Sequence, residues 1–207
     1  MEYYLNDLDH TEKYRLLTSS IVPRPIALVT TISQDGIHNA APFSYFTGVS
    51  IEPPLVLFAV ERRFGEKKDT LLNVEETKEF VINLVTASNV EKMNITSKDF
   101  QRNEDELKYA GFTAIQSKYV AAPSLKEAPL HMECKLYEII DIGSSPHSLI
   151  IGEVIAVTTD DSVMADGRID MNSLEAVGRM GGKWYTKSSE LFELQRLDWR
   201  KQQLNNE

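Results

Sequence analysis

Apolar residues fall along this chain in short blocks, and within most blocks they recur at every second position. Ile26, Leu28 and Thr30 alternate with Ala27, Val29 and Thr31, a β-branched pattern that predicts a strand on a half-buried pleat. Asp35-Gly36 then signals a hairpin turn, and a second extended segment runs from Asn39 to Phe46. That segment carries Asn39, Ala40, Ala41, Pro42 and Ser44 where a self-sufficient strand would carry bulk. Small side chains admit close approach of a planar ligand, and the proline confines the stretch to an edge or a bulge. Leu55–Val60 and Phe80–Val85 are apolar on both faces and are predicted to be central strands. Leu130–Ile142 and His147–Thr159 alternate over long stretches and are joined by the turn Gly143-Ser144-Ser145-Pro146. Helices are predicted as a lead-in over residues 1–20, at Lys67–Thr77, after the capping box Ser88-Asn89-Val90-Glu91 to about Ser97, and at Glu104–Ala110. Glu190–Arg196 reads as a last strand or an arm contributing to a dimer.

Six or seven strands with only short helices and hairpin links favour a mainly β fold, an antiparallel Greek-key barrel, over a doubly wound sheet. No G-x-G-x-x-G follows a strand, so a Rossmann nicotinamide site is not indicated. One domain over residues 1–207 is the simplest division, with an N-terminal arm (1–20) and a C-terminal arm (178–207).

Charge narrows the function. Twenty-two basic against 31 acidic residues give a formal charge of −9, which argues against nucleic acid or an anionic membrane as the main partner. An anionic cofactor must therefore meet a local basic pocket. Neither a leader-like N-terminus nor a long apolar run is present, so a soluble cytoplasmic protein is expected. Cys134 is the only cysteine, which excludes a dithiol pair, and it shares one strand face with Met132 and Leu136 as a core thiol would. Any electron transfer must then run through a bound cofactor. His10, His38, His131 and His147 have no ligand spacing, so no metal site is expected. No nucleophile elbow is present, and no catalytic side chain is assigned.

Lys67-Lys68-Asp69-Thr70 stands at the start of a helix, where free N–H groups, lysine charge and a hydroxyl suit a phosphate; an ordinary N-cap at Asp69 or Thr70 beside solvated lysines is the alternative. Arg24 lies between two prolines that fix its direction, and its guanidinium suits a phosphate or a carbonyl edge as well as a surface ion pair.

The run RPIALVTT, then G-x-x-N-A-A-P-F-S-Y-F, Pro53-Pro54, Lys67-Lys68-Asp69-Thr70-Leu71-Leu72-Asn73 and Val177-Gly178-Arg179-Met180-Gly181-Gly182-Lys183-Trp184-Tyr185 resembles the flavin reductase-like, FMN-binding split-barrel family. It is most similar to the branch holding flavoredoxin and the reductase component (component B) of nitrilotriacetate monooxygenase. The resemblance spans about residues 10 to 196, and it implies a split β-barrel, bound FMN, NADH or NADPH as co-substrate and a homodimer. It implies an NAD(P)H-dependent flavin reductase that delivers reduced flavin or electrons to a partner such as a monooxygenase. A flavoredoxin-like electron carrier and an FMN storage protein are the alternatives.

By the same resemblance, the phosphate and ribityl chain lie near Lys67, Lys68 and Thr70, with Asp69 capping the helix. Asn39, Ala40, Ala41 and Ser44 face the pyrimidine edge of the isoalloxazine, Tyr45 or Phe46 covers a ring face, and Thr30 or Thr31 points at the flavin. The glycine-rich tail closes over the flavin, that of the partner subunit included, with Arg179 near phosphate and Tyr185 near the ring; a flexible C-terminal turn is the other reading. Residues 98–128 form the nicotinamide side, where Arg102 either reads a 2′-phosphate or faces solvent.

Overall fold

The computed structural model describes residues 1–62, 65–143, 147–188 and 190–195. The chain enters through helix α1 (His10–Ser20), then runs β1 (Arg24–Pro25), β2 (Ala27–Ile32), β3 (His38–Phe43), β4 (Phe46–Ile51) and β5 (Pro54–Glu61). Helix α2 (Asp69–Thr77), strand β6 (Glu79–Leu84) and helices α3 (Val90–Ile95) and α4 (Glu106–Ala110) follow. After the short pair β7 (Ala114–Ile115) and β8 (Ser124–Leu125) come the long strands β9 (Leu130–Ile142) and β10 (His147–Thr159). The chain ends in β11 (Met164–Ala165), β12 (Arg168–Ile169), α5 (Met171–Leu174), β13 (Val177–Arg179) and β14 (Tyr185–Lys187).

Seven strands form one antiparallel sheet in the order β3-β2-β6-β9-β10-β5-β4, coiled into a split barrel. Alternation divides the core in two. Ala27 and Val29 face the barrel interior with Phe43, Phe58, Phe80 and Cys134, while Ile26 and Leu28 face an outer layer with Met93, Leu107 and Leu125. Helix α2 contributes Leu71 and Val74 to the interior cluster. Gly152 sits at a shift in the β9–β10 register, where an added Cβ would collide with the Phe80 ring, so glycine there lets the aromatic core close.

Pro42 falls in β3, an edge strand, as its missing N–H requires. Phe80–Val85 is matched by β6, which lies between β2 and β9, and both long strands have the expected bounds. Other expectations need correction. Asp69 does not cap α2; Lys68 occupies the N-cap and its side chain does not bond the helix's free N–H groups, and Asp69 pairs with Arg102 at 3.1 Å. The box at Ser88 and Glu91 does not form, because the Asn89 Oδ1 accepts from Thr86 N and the Ser88 hydroxyl bonds Thr86 Oγ1. A capping box does form at Asp9 and Glu12, ahead of α1. Glu190–Gln195 is not a strand: it is irregular, and Phe192 is 82% exposed. Arg196, the rest of the C-terminal arm and Ser144-Ser145-Pro146 of the turn lie outside the described residues.

Candidate active site

Where β3 turns into β4, the chain leaves one wall of a cavity of about 500 Å³, lined by Pro42, Phe43, Ser44 and Tyr45. Helix α1 covers it with one face, His10, Lys13, Tyr14, Leu17 and Thr18, spaced three and four apart as neighbours on a helix surface are. Lys68, Glu61 and His147 add charged and polar groups to the lining, and Ala59, Leu149 and Ile142 add apolar ones. Partial burial raises the Tyr45 phenol above its ordinary value against the opposing charge of Arg24, so its hydroxyl stays protonated at neutral pH.

A second, more polar cavity of about 230 Å³ adjoins the first and shares Tyr14, Thr18, Pro42 and Ser44 with it. It lies against the three-stranded sheet β1-β13-β14 and is also lined by Arg24, Arg179 and Tyr185. Arg24 is 5% exposed. Its Nη1 donates to Thr18 O and to Ile21 O (2.6 Å), its Nη2 to Met180 O (3.1 Å) and its Nε to Ser44 Oγ (3.4 Å). One guanidinium thus ties together the end of α1, the β3–β4 corner and the C-terminal hairpin. The hairpin glycines serve the same junction: a Cβ on Gly181 would lie 2.5 Å from Ser19 Oγ, and one on Gly178 would lie 3.1 Å from the Pro23 Cβ. Those glycines are set by close packing on the chain's own N-terminal segment.

Of the residues singled out in the sequence, the structure brings Ser44, Tyr45 and Lys68 to the larger cavity and Arg24, Ser44, Arg179 and Tyr185 to the smaller one. The others are directed elsewhere, for identifiable reasons. Thr31 and Thr70 both donate to Asn39 Oδ1, at 3.1 and 2.8 Å, and Asn73 Nδ2 donates to Thr31 Oγ1 at 2.9 Å. This network is buried, because α2 packs across β2 and β3 and its polar side chains must find partners inside. Thr30 donates to Pro123 O at 2.5 Å on the outer layer. Ala40 belongs to that layer as well, whereas Ala41 and Phe46 pack against the barrel interior, so Tyr45 alone of the aromatic pair reaches the cavity. Lys67 is paired with Glu75 at 2.6 Å, and Arg102 with Asp69 and Glu76.

Sequence reasoning missed the α1 face and His147. The helix face was legible in the 10, 13, 14, 17, 18 spacing; His147 was legible only through the register that pairs it with Glu61. It also missed Glu106. This carboxylate is 6% exposed and accepts from Ala40 N at 2.7 Å, satisfying the outward amide of the edge strand. Burial pushes its pKa up to about 7, the nearby Asp69 and Asp105 charges adding to the effect and the hydrogen bonds from Ala40 and Asn39 opposing it.

Residues 19–173 match the family described as flavin reductase like domain. The chain belongs to that family. It is 40% identical over 190 residues to an uncharacterised protein of Aquifex aeolicus (strain VF5), covering 91% of this chain and 96% of the relative. It superposes on nitrilotriacetate monooxygenase component B from Bacillus cereus with a TM-score of 0.91 at 38% identity, over 94% of this chain and 98% of the other. The 2-nitrobenzoate 2-nitroreductase NbaA of Pseudomonas fluorescens gives 0.88 at 33% identity, over 96% and 98%. Membership makes this chain a split-barrel flavoprotein oxidoreductase of the flavin reductase type, with a reductase component of a monooxygenase among its structural neighbours. Among the described residues, no helix is long and apolar enough to cross a membrane.

The larger cavity fits a flavin. Its lining includes the aromatic Tyr14, Phe43 and Tyr45 and the apolar Leu17, Ile142 and Leu149, surface against which an isoalloxazine can lie, and it falls within the volume usual for cofactor sites.

Proposed function

We propose that this protein is a cytoplasmic, homodimeric FMN-binding flavin reductase that uses NADH or NADPH and passes reduced flavin or electrons to a partner such as a monooxygenase. The observation that carries the reading is the cavity of about 500 Å³ at the β3–β4 corner, with aromatic, apolar and cationic residues in its lining. Bound there, the flavin would supply the two-electron chemistry between a nicotinamide and an acceptor. The chain's own side chains bind and exclude. Phe43, Tyr45 and Leu149 offer surface to the ring system, Ser44 offers a hydroxyl to a polar edge, and the α1 face shields the cavity from water. Lys68 in the lining supplies positive charge for an anionic cofactor in a chain of net charge −9. Exposed Leu191, Phe192 and Leu194 of the C-terminal arm, with Val49 and Ile51 of β4, offer apolar surface for a second copy.

The test is steady-state oxidation of each nicotinamide by the full chain with saturating FMN, alongside free FMN at the same concentration. Oxidation well above the free-flavin rate is expected. A rate no higher than that of free FMN with either coenzyme, despite bound flavin in the absorption spectrum, would reject the reductase and leave the electron carrier. A second reading, reduction of an aromatic carboxylate acceptor on the protein itself, is favoured by the cationic Lys13 and Lys68 beside apolar residues of the lining and by the name of the NbaA neighbour. Reduction of 2-nitrobenzoate without added free flavin would select it.

A further inference from the structure

Helix α1 is lightly seated on the barrel. Thr18 is its only buried residue, and Tyr14 and Leu17 stay 53% and 45% exposed although both line the larger cavity. Its charged side chains divide by position. Glu12 and Arg15 are exposed and stand outside the cavity, whereas Lys13 is half-buried and lines it beside Tyr14. Lys13 and Leu17 are one helical turn apart, so the ammonium and the aliphatic side chain share a face.

A half-buried ammonium in a chain with 31 acidic residues would ordinarily hold a carboxylate. Among the described residues, none lies within 4.0 Å of Lys13, and its ammonium makes no hydrogen bond. The acids beside it in sequence are committed elsewhere: Asp9 and Glu12 accept each other's backbone amides in the capping box. Glu61 is the only carboxylate lining the cavity among the described residues, against Lys13 and Lys68 from two different elements. The flavin reading draws on Lys68 and leaves the charge of Lys13 without a function. An ammonium flanked by an aromatic and an aliphatic side chain suits an anion whose charge is carried on an aromatic ring. Nicotinamide coenzymes carry theirs on a flexible pyrophosphate, away from the reacting ring, so the match is to the electron acceptor.

We propose that Lys13 is a specificity-determining residue that selects, as electron acceptor, a planar aromatic molecule bearing a carboxylate or sulfonate, with Tyr14 and Leu17 lying against its ring. This narrows the acceptor and rests on the flavin reductase reading. In the reaction that tests it, NADH or NADPH loses a hydride and is oxidised; a quinone takes up that electron pair and proton, with one more proton from solvent, and becomes the hydroquinone.

The full chain with saturating FMN is given either naphthoquinone sulfonate or its neutral parent naphthoquinone, and the ratio of the two kcat/KM values is compared between wild type and variants, so that intrinsic reactivities cancel. Calorimetric titration with naphthoate and with naphthamide gives the matching ratio of affinities without turnover. Lys13→Gln is expected to lower both ratios about tenfold, the scale of a hydrogen bond to a charged group. Lys13→Glu should lower them further, and Lys13→Arg should keep most of the preference. Arg15→Gln removes the same charge from the same helix outside the cavity and should move neither ratio more than twofold.

A ratio that moves less than twofold in Lys13→Gln, or that falls equally in Arg15→Gln, overturns the proposal. So does a raised coenzyme KM with the acceptor ratio unmoved. Flavin fluorescence reports FMN binding independently. If FMN does not bind, or binds and is reduced by neither coenzyme, the reductase reading falls and the naphthoate-to-naphthamide ratio alone decides: a preference lost in Lys13→Gln supports the role of Lys13, and the absence of a preference refutes it.

Discussion

Glu106 offers a direct test of how the edge of the sheet is held. Its carboxylate accepts the Ala40 amide hydrogen of β3, with Asn39 as a further donor and Asp69 and Asp105 as nearby like charges. Among the described residues, no lysine, arginine or histidine lies within 4.0 Å of it. A carboxyl whose pKa rises on folding, here from 4.5 to about 7, binds its proton more tightly in the folded protein than in the unfolded chain. Its contribution to stability is therefore full below pH 4.5 and is lost as pH climbs toward 7. At about 1.4 kcal/mol for each tenfold change in proton affinity, that interval corresponds to about 3 kcal/mol.

Glu106→Gln keeps an oxygen for the Ala40 amide and removes the charge. Chemical unfolding of both proteins, followed by tryptophan fluorescence at pH 5, 6, 7 and 8, isolates the group, because every other titration cancels in the difference. The variant should be near wild-type stability at pH 5 and gain on it steadily, by up to about 3 kcal/mol at pH 8. A difference that stays flat within about 0.5 kcal/mol over this range would refute the reasoning, because two independent errors in denaturant extrapolation would then account for it. The same buried acid would be shown to ionise at no energetic penalty, contrary to its lack of a cationic partner.

Four further changes separate binding from packing. Thr70→Ala should lower stability by about 1 kcal/mol, by removing one of the two hydroxyl donors to Asn39 Oδ1, and leave flavin affinity nearly unchanged, whereas Lys68→Ala should weaken flavin binding and leave the denaturation midpoint in place. Arg24→Met should destabilise the protein by about 3 kcal/mol or more by leaving the buried Thr18 carbonyl, and the partly buried Ile21 and Met180 carbonyls, without this donor, and limited proteolysis should then cut residues 1–20 first. Cys134→Ser, in the barrel interior where burial pushes the thiol pKa up, should lower the thermal midpoint while nicotinamide oxidation with saturating FMN is retained.

Much of the barrel was legible because its signals are local. Period-two alternation over 130–142 and 147–159, the Asp35-Gly36 turn and the edge proline Pro42 each act within a few residues, and each has its structural counterpart. Of the larger cavity, the sequence pointed to Ser44 and Tyr45, where the backbone itself turns into it, and to Lys68. Thr30 and Thr31 show why the rest was not. Their alternation fixes that they face opposite sides of β2, but which elements cover those sides depends on α2 and on the segment near Pro123, dozens of residues away. A hydroxyl in a strand looks the same in sequence whether it meets a ligand or a buried asparagine.

The glycine-rich tail carries the same lesson in reverse. Gly178 and Gly181 stand in the tail expected to close over the flavin, and their missing side chains are accounted for by Pro23 and Ser19, which only the folded chain brings near. What the composition of the tail could not reveal is the pairing of Arg179 with Arg24, because the two are 155 positions apart and meet through a register between strands of two and three residues. Such short strands have almost no sequence signature. Their pairing is specified instead by the Arg24 clamp on Thr18, Ile21 and Met180, so the residue that assembles this corner also places the second guanidinium opposite itself.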